Sequence, residues 1–223
     1  MERYKTLIAY TLVGVTLICG LLLFNMRIDE GGDDSTYICR ALDFISDGRY
    51  TGDYQGPLYP LFLAPFISLF GVNMFVLKLT SLLLIVASQV VWYESLKRRV
   101  SAGLLLSVMG LLSVNSWYLF YASQTYSEAL FILIEYAFMW SVLRMDDIPN
   151  DKEGVKREFR NIKIWRWALP IALFVTLAYM TRTVGVGLLV VAASYFVIRH
   201  KWQRGVMVVC CTALCLSLIH ISE

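Results

Sequence analysis

The sequence predicts an all-α fold, a polytopic bundle of transmembrane helices, and three observations support this. Of the 223 residues, 58% are hydrophobic and only 17% are charged, whereas soluble domains carry about 25% charged residues. Long apolar runs with few charged residues follow one another along the chain, and basic clusters stand at several of their ends. This composition excludes a disordered chain and argues against a lone soluble domain, and the net charge of +3 argues against a nucleic-acid partner.

The apolar runs define the predicted spans, since a helix that crosses a membrane needs about 20 apolar residues. The runs cover residues 6–24, 75–92, 102–120, 127–142, 167–180 and 184–198, and a further one begins at residue 206. The first run has a weakly basic flank and no small-residue cleavage site behind it. It therefore predicts an uncleaved first helix rather than a signal peptide.

The distribution of lysine and arginine predicts the orientation, because cytoplasmic loops carry an excess of these residues. With the N-terminus in the cytoplasm, 15 of the 20 basic residues lie on the cytoplasmic side. The other five are Arg27, Arg40, Arg49, Lys78 and Arg182. The chain is thus expected to be a multi-pass protein, in a bacterial plasma membrane, with a cytoplasmic loop at about 145–166 and an outer loop at about 25–56.

The outer loop is acidic and is predicted to form two amphipathic surface helices. Its apolar residues recur at helical spacing at Tyr37, Ala41, Phe44 and Ile45. Asp33 and Asp34 precede this pattern, where carboxylates favour the helix dipole and cap the helix, and Gly48 provides a stop. A second segment, 57–70, which is predicted to be amphipathic or half-inserted in the membrane, starts at a proline and ends before Gly71.

The acidic pair opens a motif that resembles one in known enzymes. Residues 33–41 read DDSTYICRA, which is similar to the D-(D/E)-x-x-Y-x-x-x-A element in the first outer loop of GT-C glycosyltransferases. That superfamily includes protein O-mannosyltransferases and lipid A aminoarabinose transferases. Further segments resemble the superfamily in the same order: 42–50 with Gly48 and Tyr50, QGPLYPL at 55–61, FGVN at 70–73, YSEAL at 126–130 and TRTVG at 181–185.

The resemblance implies a membrane glycosyltransferase with a GT-C-like transmembrane module over residues 1–215. Such enzymes move a sugar from a polyprenyl-phosphate carrier to a lipid, glycan or protein acceptor at the outer membrane face. The first acid of the pair, Asp33, is expected to be the catalytic base, with Asp34 beside it. A carboxylate within hydrogen-bond reach takes the proton that a hydroxyl or amine loses as it attacks the anomeric carbon.

The leaving phosphate needs a cation, and Arg182 is the candidate, as the only strong base between 167 and 198. Glu128, Tyr37 and Tyr59 complete the predicted carrier-binding and substrate-binding set. The two histidines have no partner spacing, so no metal site is predicted. No cofactor is expected beyond the lipid-linked donor.

Several alternatives stay open for the charged residues. Asp29 and Glu30 form a second acidic pair upstream. If the alignment with the superfamily motif contains a gap, this pair is the catalytic one instead of Asp33 and Asp34. Asp33 and Asp34 as plain helix caps are the main rival to catalysis. Glu128 is either a site residue or an interface charge at a helix end. Lys78 is expected to be an interface or snorkelling charge.

Two other classes compete with the enzyme: a transporter or flippase-like protein and a non-catalytic envelope scaffold. A transporter is expected to place charges at the midplane and to contain an internal repeat, and no repeat is visible. The chain is expected to be an N-terminal fragment, since it stops within an apolar run. Residues 216–223 match a translated sequencing adapter, which predicts a non-native tail.

Overall fold

The structure is a computed structural model that describes residues 2–27, 32–48, 50, 56–149, 159 and 161–220. These residues form helices joined by turns, with no strand among them. The all-α prediction is therefore confirmed for the described part of the chain. The chain divides into two compact units, Met1–Leu133 and Ile134–Glu223.

Unit 1 contains the predicted acidic helix and the first candidate spans. Its helices are α1 (Glu2–Leu22), α2 (Asp33–Asp47), α3 (Leu58–Phe70), α4 (Met74–Leu96), α5 (Ala102–Ser113), α6 (Ser116–Ala122) and the first turns of α7 (Ser127–Asp146). Helix α2 packs mainly on α3, while α1 packs on α4 and α5. The unit boundary falls inside α7.

Glycines end the two helices that follow α1. Gly48 ends α2 in the left-handed conformation (φ 66°), and its N–H donates to the carbonyl of Phe44. Gly71 ends α3, also at φ 66°, and its N–H donates to Ile67. Positive φ is readily available to glycine alone, so these two positions explain why the predicted ends at 48 and 71 are correct.

The buried face of α2 differs from the predicted one. Asp34, Tyr37, Ile38 and Ala41 are its buried residues. Ile45, assigned to the apolar face, is 42% exposed, and Phe44 is only half-buried. The buried stripe is therefore confined to the first half of the helix and includes a carboxylate.

The run predicted as a single span at 102–120 is broken. Helices α5 and α6 are bent by 60° at the break between them. The cause is Asn115, whose side chain accepts a hydrogen bond from the N–H of Tyr118 at 2.9 Å and so caps α6 as a new helix. The run 102–120 therefore contains the start of a second helix, which its apolar composition does not indicate.

Among the residues that the structure describes, three helices are long and apolar enough to cross a membrane, or four if the bent α5–α6 pair forms one span. They are α1, α4 and α8 (Ile162–Thr181), which match the predicted runs 6–24, 75–92 and 167–180. Helix α7 covers the predicted span 127–142 but is not among these three, and it contains the charged residues Glu128, Glu135 and Arg144. Helix α3 is shorter than a span.

Unit 2 is built around α8, which packs on two shorter helices, α9 (Gly187–Ile198) and α10 (Trp202–His220). A short 3₁₀ helix, Thr183–Val186, joins α8 to α9. Buried apolar side chains of α7, α8, α9 and α10 form the core, among them Phe138, Ile171, Phe196 and Val208. The predicted run at 184–198 is thus a 3₁₀ turn followed by a 12-residue helix.

A charged cluster closes one end of unit 2 around Asp146, the last residue of α7. Its buried carboxylate accepts hydrogen bonds from Tyr195 at 2.9 Å and from Lys201 at 2.7 Å. Arg199 lies 3.2 Å away but is 54% exposed. Arg204, fully buried, donates to the carbonyl of Met145 at 2.6 Å. Cations thus hold the C-terminal end of α7, where the helix dipole favours them.

Asp146→Asn is expected to lower the stability of unit 2 by about 2 kcal/mol at pH 7, since it weakens charged hydrogen bonds. Burial raises the pKa of Asp146, but the hydrogen bonds from Lys201 and Tyr195 and the cationic charges outweigh it, so the pKa lies below its usual value. A lowered pKa stabilises the fold above the unfolded-state pKa of about 3.9, and the contribution is lost as pH falls through the folded pKa.

Thermal unfolding in detergent as a function of pH measures this effect. The difference in unfolding temperature between the native protein and Asp146→Asn should be largest near pH 7 and should disappear below pH 4. Asp147→Asn, at the exposed neighbouring position, is the matched control and should show little change. An equal effect of both variants would contradict a specific role for Asp146.

Candidate functional site

Asp34 is the centre of a buried polar cluster in unit 1. Its side chain has no exposed surface, and its Oδ1 accepts a hydrogen bond from the backbone N–H of Thr125 at 2.8 Å. Thr125 belongs to a short segment between α6 and α7 that is buried throughout. A buried backbone N–H needs a partner, and the Asp34 carboxylate provides it from 91 residues away.

Asp33 and Asp34 are adjacent but have different surroundings. Both lie in the first turn of α2, where Gly32 is the N-cap residue with φ 78° and no side-chain capping bond is present. The interpretation of the pair as helix caps is therefore wrong. Successive residues of a helix point about 100° apart, so Asp34 enters the core while Asp33 remains partly exposed.

Lys78 is the cation of this cluster, and its prediction as an interface charge is wrong. Its side chain is fully buried, and its Nζ lies 3.8 Å from Asp34 Oδ2. The ammonium donates to Arg27 O at 2.6 Å, to Asn25 Oδ1 at 3.1 Å and to Gln124 Oε1 at 3.1 Å. A lysine at the fifth position of α4 cannot snorkel to water when protein oxygens surround it.

The two predicted tyrosines lie together beside this cluster. The rings of Tyr37 and Tyr59 meet edge to face with centroids 4.9 Å apart, which joins α2 to α3. The Tyr37 hydroxyl donates to Ser127 Oγ at 2.9 Å, and the Tyr59 hydroxyl lies 3.4 Å from Ser81 Oγ on α4. Both tyrosines are buried. In the described part of the chain they support α2 rather than present a surface to a ligand.

Glu128 lies in the first turn of α7 and is half-buried. Its charge acts on Tyr59. Burial raises the pKa of the Tyr59 hydroxyl, the bond with Ser81 opposes that rise, and the negative charges of Asp34 and Glu128 add to it. Tyr59 therefore stays protonated. Glu128 thus lies within electrostatic range of Tyr59, and its role as a site residue stays a prediction.

Arg182 lies in unit 2, at the junction of α8 and the 3₁₀ helix. Its backbone is extended (φ −149°, ψ 135°), its N–H donates to Ala178 O at 2.8 Å, and its carbonyl accepts from Gly185 N at 2.8 Å. The side chain is partly exposed. The predicted turn between two apolar segments is therefore present, with Arg182 at its first corner.

The alternative acidic pair, Asp29 and Glu30, lies outside the described residues. Among the residues that the structure does describe, no group of three or more His, Cys, Asp or Glu side chains could hold a metal ion.

Sequence reasoning missed the polar partners of Asp34. Gln124, Thr125 and Ser127 precede or begin α7 and are fully or nearly fully buried. Lys78 carried the one available signal, because a lone cation inside an apolar run is a functional candidate by default. Nothing in the local spacing connects it to a carboxylate 44 positions earlier.

No protein-family model, no curated protein and no solved structure matches this chain.

Proposed function

We propose that the protein is a membrane glycosyltransferase that uses a polyprenyl-phosphate-linked sugar and acts at the extracytoplasmic face, with Asp33 as general base. One observation carries the proposal. Of two adjacent carboxylates at the start of α2, Asp34 is buried and hydrogen-bonded, whereas Asp33 is partly exposed. The exposed acid is the one that the GT-C resemblance assigns to proton transfer.

The proposed reaction needs one base and one cation. Asp33 takes the proton from the acceptor hydroxyl or amine as the acceptor forms its bond to the anomeric carbon. The bond between that carbon and the phosphate oxygen breaks, and polyprenyl phosphate leaves with the electron pair. Arg182 provides the charge that binds the phosphate, since a guanidinium forms two parallel hydrogen bonds to such a group. The acceptor is a lipid, a glycan or a protein.

The setting of the proposal is a multi-pass protein of a bacterial plasma membrane, with a cytoplasmic N-terminus. The apolar helices support a membrane location. An enzyme is favoured over a transporter because no internal repeat of the kind that many transporters contain is visible in the sequence.

The test is transfer of radiolabelled sugar in proteoliposomes, with polyprenyl-phosphate-linked hexoses and pentoses as donors. The native protein should transfer at least one of them. Arg182→Ala should raise the KM for the donor about 10- to 100-fold, because it removes charged hydrogen bonds to the phosphate. Arg182→Lys should recover part of that loss, since it keeps the charge without the planar fork.

Arg166 and Arg199 provide controls in unit 2, because each is a basic residue outside the junction at 182. Alanine at either position should leave the donor KM unchanged. A KM unaffected by Arg182→Ala would remove Arg182 from the proposed site. Absence of transfer from every donor by the native protein would favour the scaffold or transporter alternative.

A further inference from the structure

Lys78 is a fully buried ammonium in the predominantly apolar helix α4. A buried charge is unfavourable unless it is paired and hydrogen-bonded. Here the carboxylate oxygen Asp34 Oδ2 lies 3.8 Å from Lys78 Nζ, beyond direct hydrogen-bond distance. The ion pair is thus through space, while the N–H groups of Lys78 bond other oxygens.

The hydrogen-bonding capacity of Lys78 is fully used within the protein. An ammonium has three N–H donors, and three protein oxygens receive them: Arg27 O, Asn25 Oδ1 and Gln124 Oε1. No N–H is left for a phosphate or a sugar. This excludes Lys78 as a binding group for a donor in the described conformation.

The same ammonium connects four segments that are distant in sequence. Asn25 and Arg27 follow α1, Asp34 opens α2, Lys78 lies in α4, and Gln124 precedes α7. We call these five residues together with Thr125 the Lys78 cluster. Thr125 belongs to it because its N–H bonds the other oxygen of Asp34. The start of α2 is therefore attached to the helical bundle of unit 1 through charged and polar groups.

We propose that Lys78 is a positioning residue: it docks the first turn of α2 on unit 1 through Asp34 and so sets the place of the neighbouring Asp33. The effect on catalysis rests on the proposed function, whereas the docking of α2 does not. Because Asp33 and Asp34 share one helical turn, displacement of one moves the other. A small misplacement of a catalytic group lowers a rate by about 100-fold.

Hydrogen–deuterium exchange of the full chain in nanodiscs measures the docking. Lys78→Met should speed amide exchange at Thr125 and in the first turn of α2 by about 100-fold, since removing one partner of a buried pair is strongly destabilising. Lys78→Gln, which keeps two donors without the charge, should have an intermediate effect. It also serves as the test variant if Lys78→Met does not fold.

Two control variants separate this effect from general loss of stability. Lys97→Met removes the lysine that follows α4 as its C-cap residue, one that is 32% exposed and paired with Glu94. Thr125→Val removes a buried hydroxyl that makes no hydrogen bond to any described residue. Both should leave exchange in α2 within about 3-fold of the native protein. Faster exchange in α2 on either change would show that the region responds to any substitution and would overturn the proposal.

A double variant tests the link between Lys78 and Asp34. Lys78→Met leaves the Asp34 carboxylate buried without its cation, and adding Asp34→Asn removes that charge while keeping an acceptor for the Thr125 N–H. The double variant should therefore exchange about 10-fold more slowly than Lys78→Met alone. If the effects of Lys78→Met and Asp34→Asn on amide exchange were additive, the proposed pairing of Lys78 with Asp34 would be overturned.

Steady-state kinetics separates positioning from binding. Lys78→Met should lower kcat with little change in the donor KM, the opposite of Arg182→Ala. A raised KM with unchanged kcat and unchanged exchange would make Lys78 a donor-binding residue and overturn the proposal. If the native protein transfers no sugar while exchange responds as stated, docking by Lys78 stands and the proposed function fails.

Discussion

Asp33→Asn should reduce sugar transfer by at least about 100-fold and leave the fold intact. General-base catalysis contributes about 10²- to 10⁴-fold to a rate, and asparagine cannot accept the proton at neutral pH. The substitution at Asp33 keeps the size of the side chain. It also removes no side-chain capping bond, because the N-cap residue of α2 is Gly32. The measurement is the initial rate of radiolabelled transfer in proteoliposomes, with thermal unfolding recorded in parallel.

The comparison with neighbouring acids makes this test specific. Asp43→Asn changes an exposed carboxylate of the same helix and should leave the rate within about 2-fold. Asp34→Asn should instead lower the unfolding temperature together with the rate, because Asp34 is buried beside Lys78. A dead Asp29→Asn with a normal Asp33→Asn would move the base to the upstream pair. Normal rates from both would leave the acidic loop structural.

The bounds of α2 and α3 could be predicted because local chemistry determines them. Acids before an apolar pattern, a proline at 57 and glycines at 48 and 71 act within a few residues of where they stand. The break at Asn115 was missed for a related reason. An asparagine cap is also local, but it lies in an uncharged run whose apolarity indicates a continuous span.

The inner arrangement of the site could not be predicted from local patterns. Helix α2 packs on α3, and its buried residues lie in its first half, whereas Ile45 is exposed. The pairing of Asp34 with Lys78 and Thr125 joins residues 44 and 91 positions apart. Only the fold brings such groups together. In the sequence Asp33 and Asp34 look equivalent, whereas in the structure Asp34 is buried and Asp33 is partly exposed.

Gly185→Ala should be the most destabilising single substitution in the 181–185 motif, and the reason is steric. A Cβ at Gly185 would overlap the carbonyl carbon of Ala178 and lie 2.5 Å from its oxygen and 2.6 Å from Tyr179 N. These are backbone atoms of α8, which cannot rotate away as a side chain can. Overpacking of a buried site costs about 1–3 kcal/mol even when side chains yield, so we expect at least about 3 kcal/mol here.

Gly187→Ala is the matched control, two residues further along the chain. Its backbone is helical (φ −58°), and a Cβ there would meet no atom within 4 Å. Alanine favours a helix over glycine by up to about 1 kcal/mol, so this variant should unfold at the same temperature as the native protein or higher. Thermal unfolding in the same detergent should therefore show a lower unfolding temperature for Gly185→Ala and an equal or higher one for Gly187→Ala, although both variants replace glycine by alanine.

The consequence for Arg182 follows from the same contact. Gly185 N donates to the carbonyl of Arg182 at 2.8 Å, so the close approach of the 3₁₀ turn to α8 also holds the backbone of Arg182. Gly185→Ala should thus raise the donor KM as Arg182→Ala does, in addition to lowering stability, whereas Gly187→Ala should change neither. Native-like unfolding and KM for Gly185→Ala would show that the turn does not approach α8 this closely. The TRTVG motif would then have no structural part in holding Arg182.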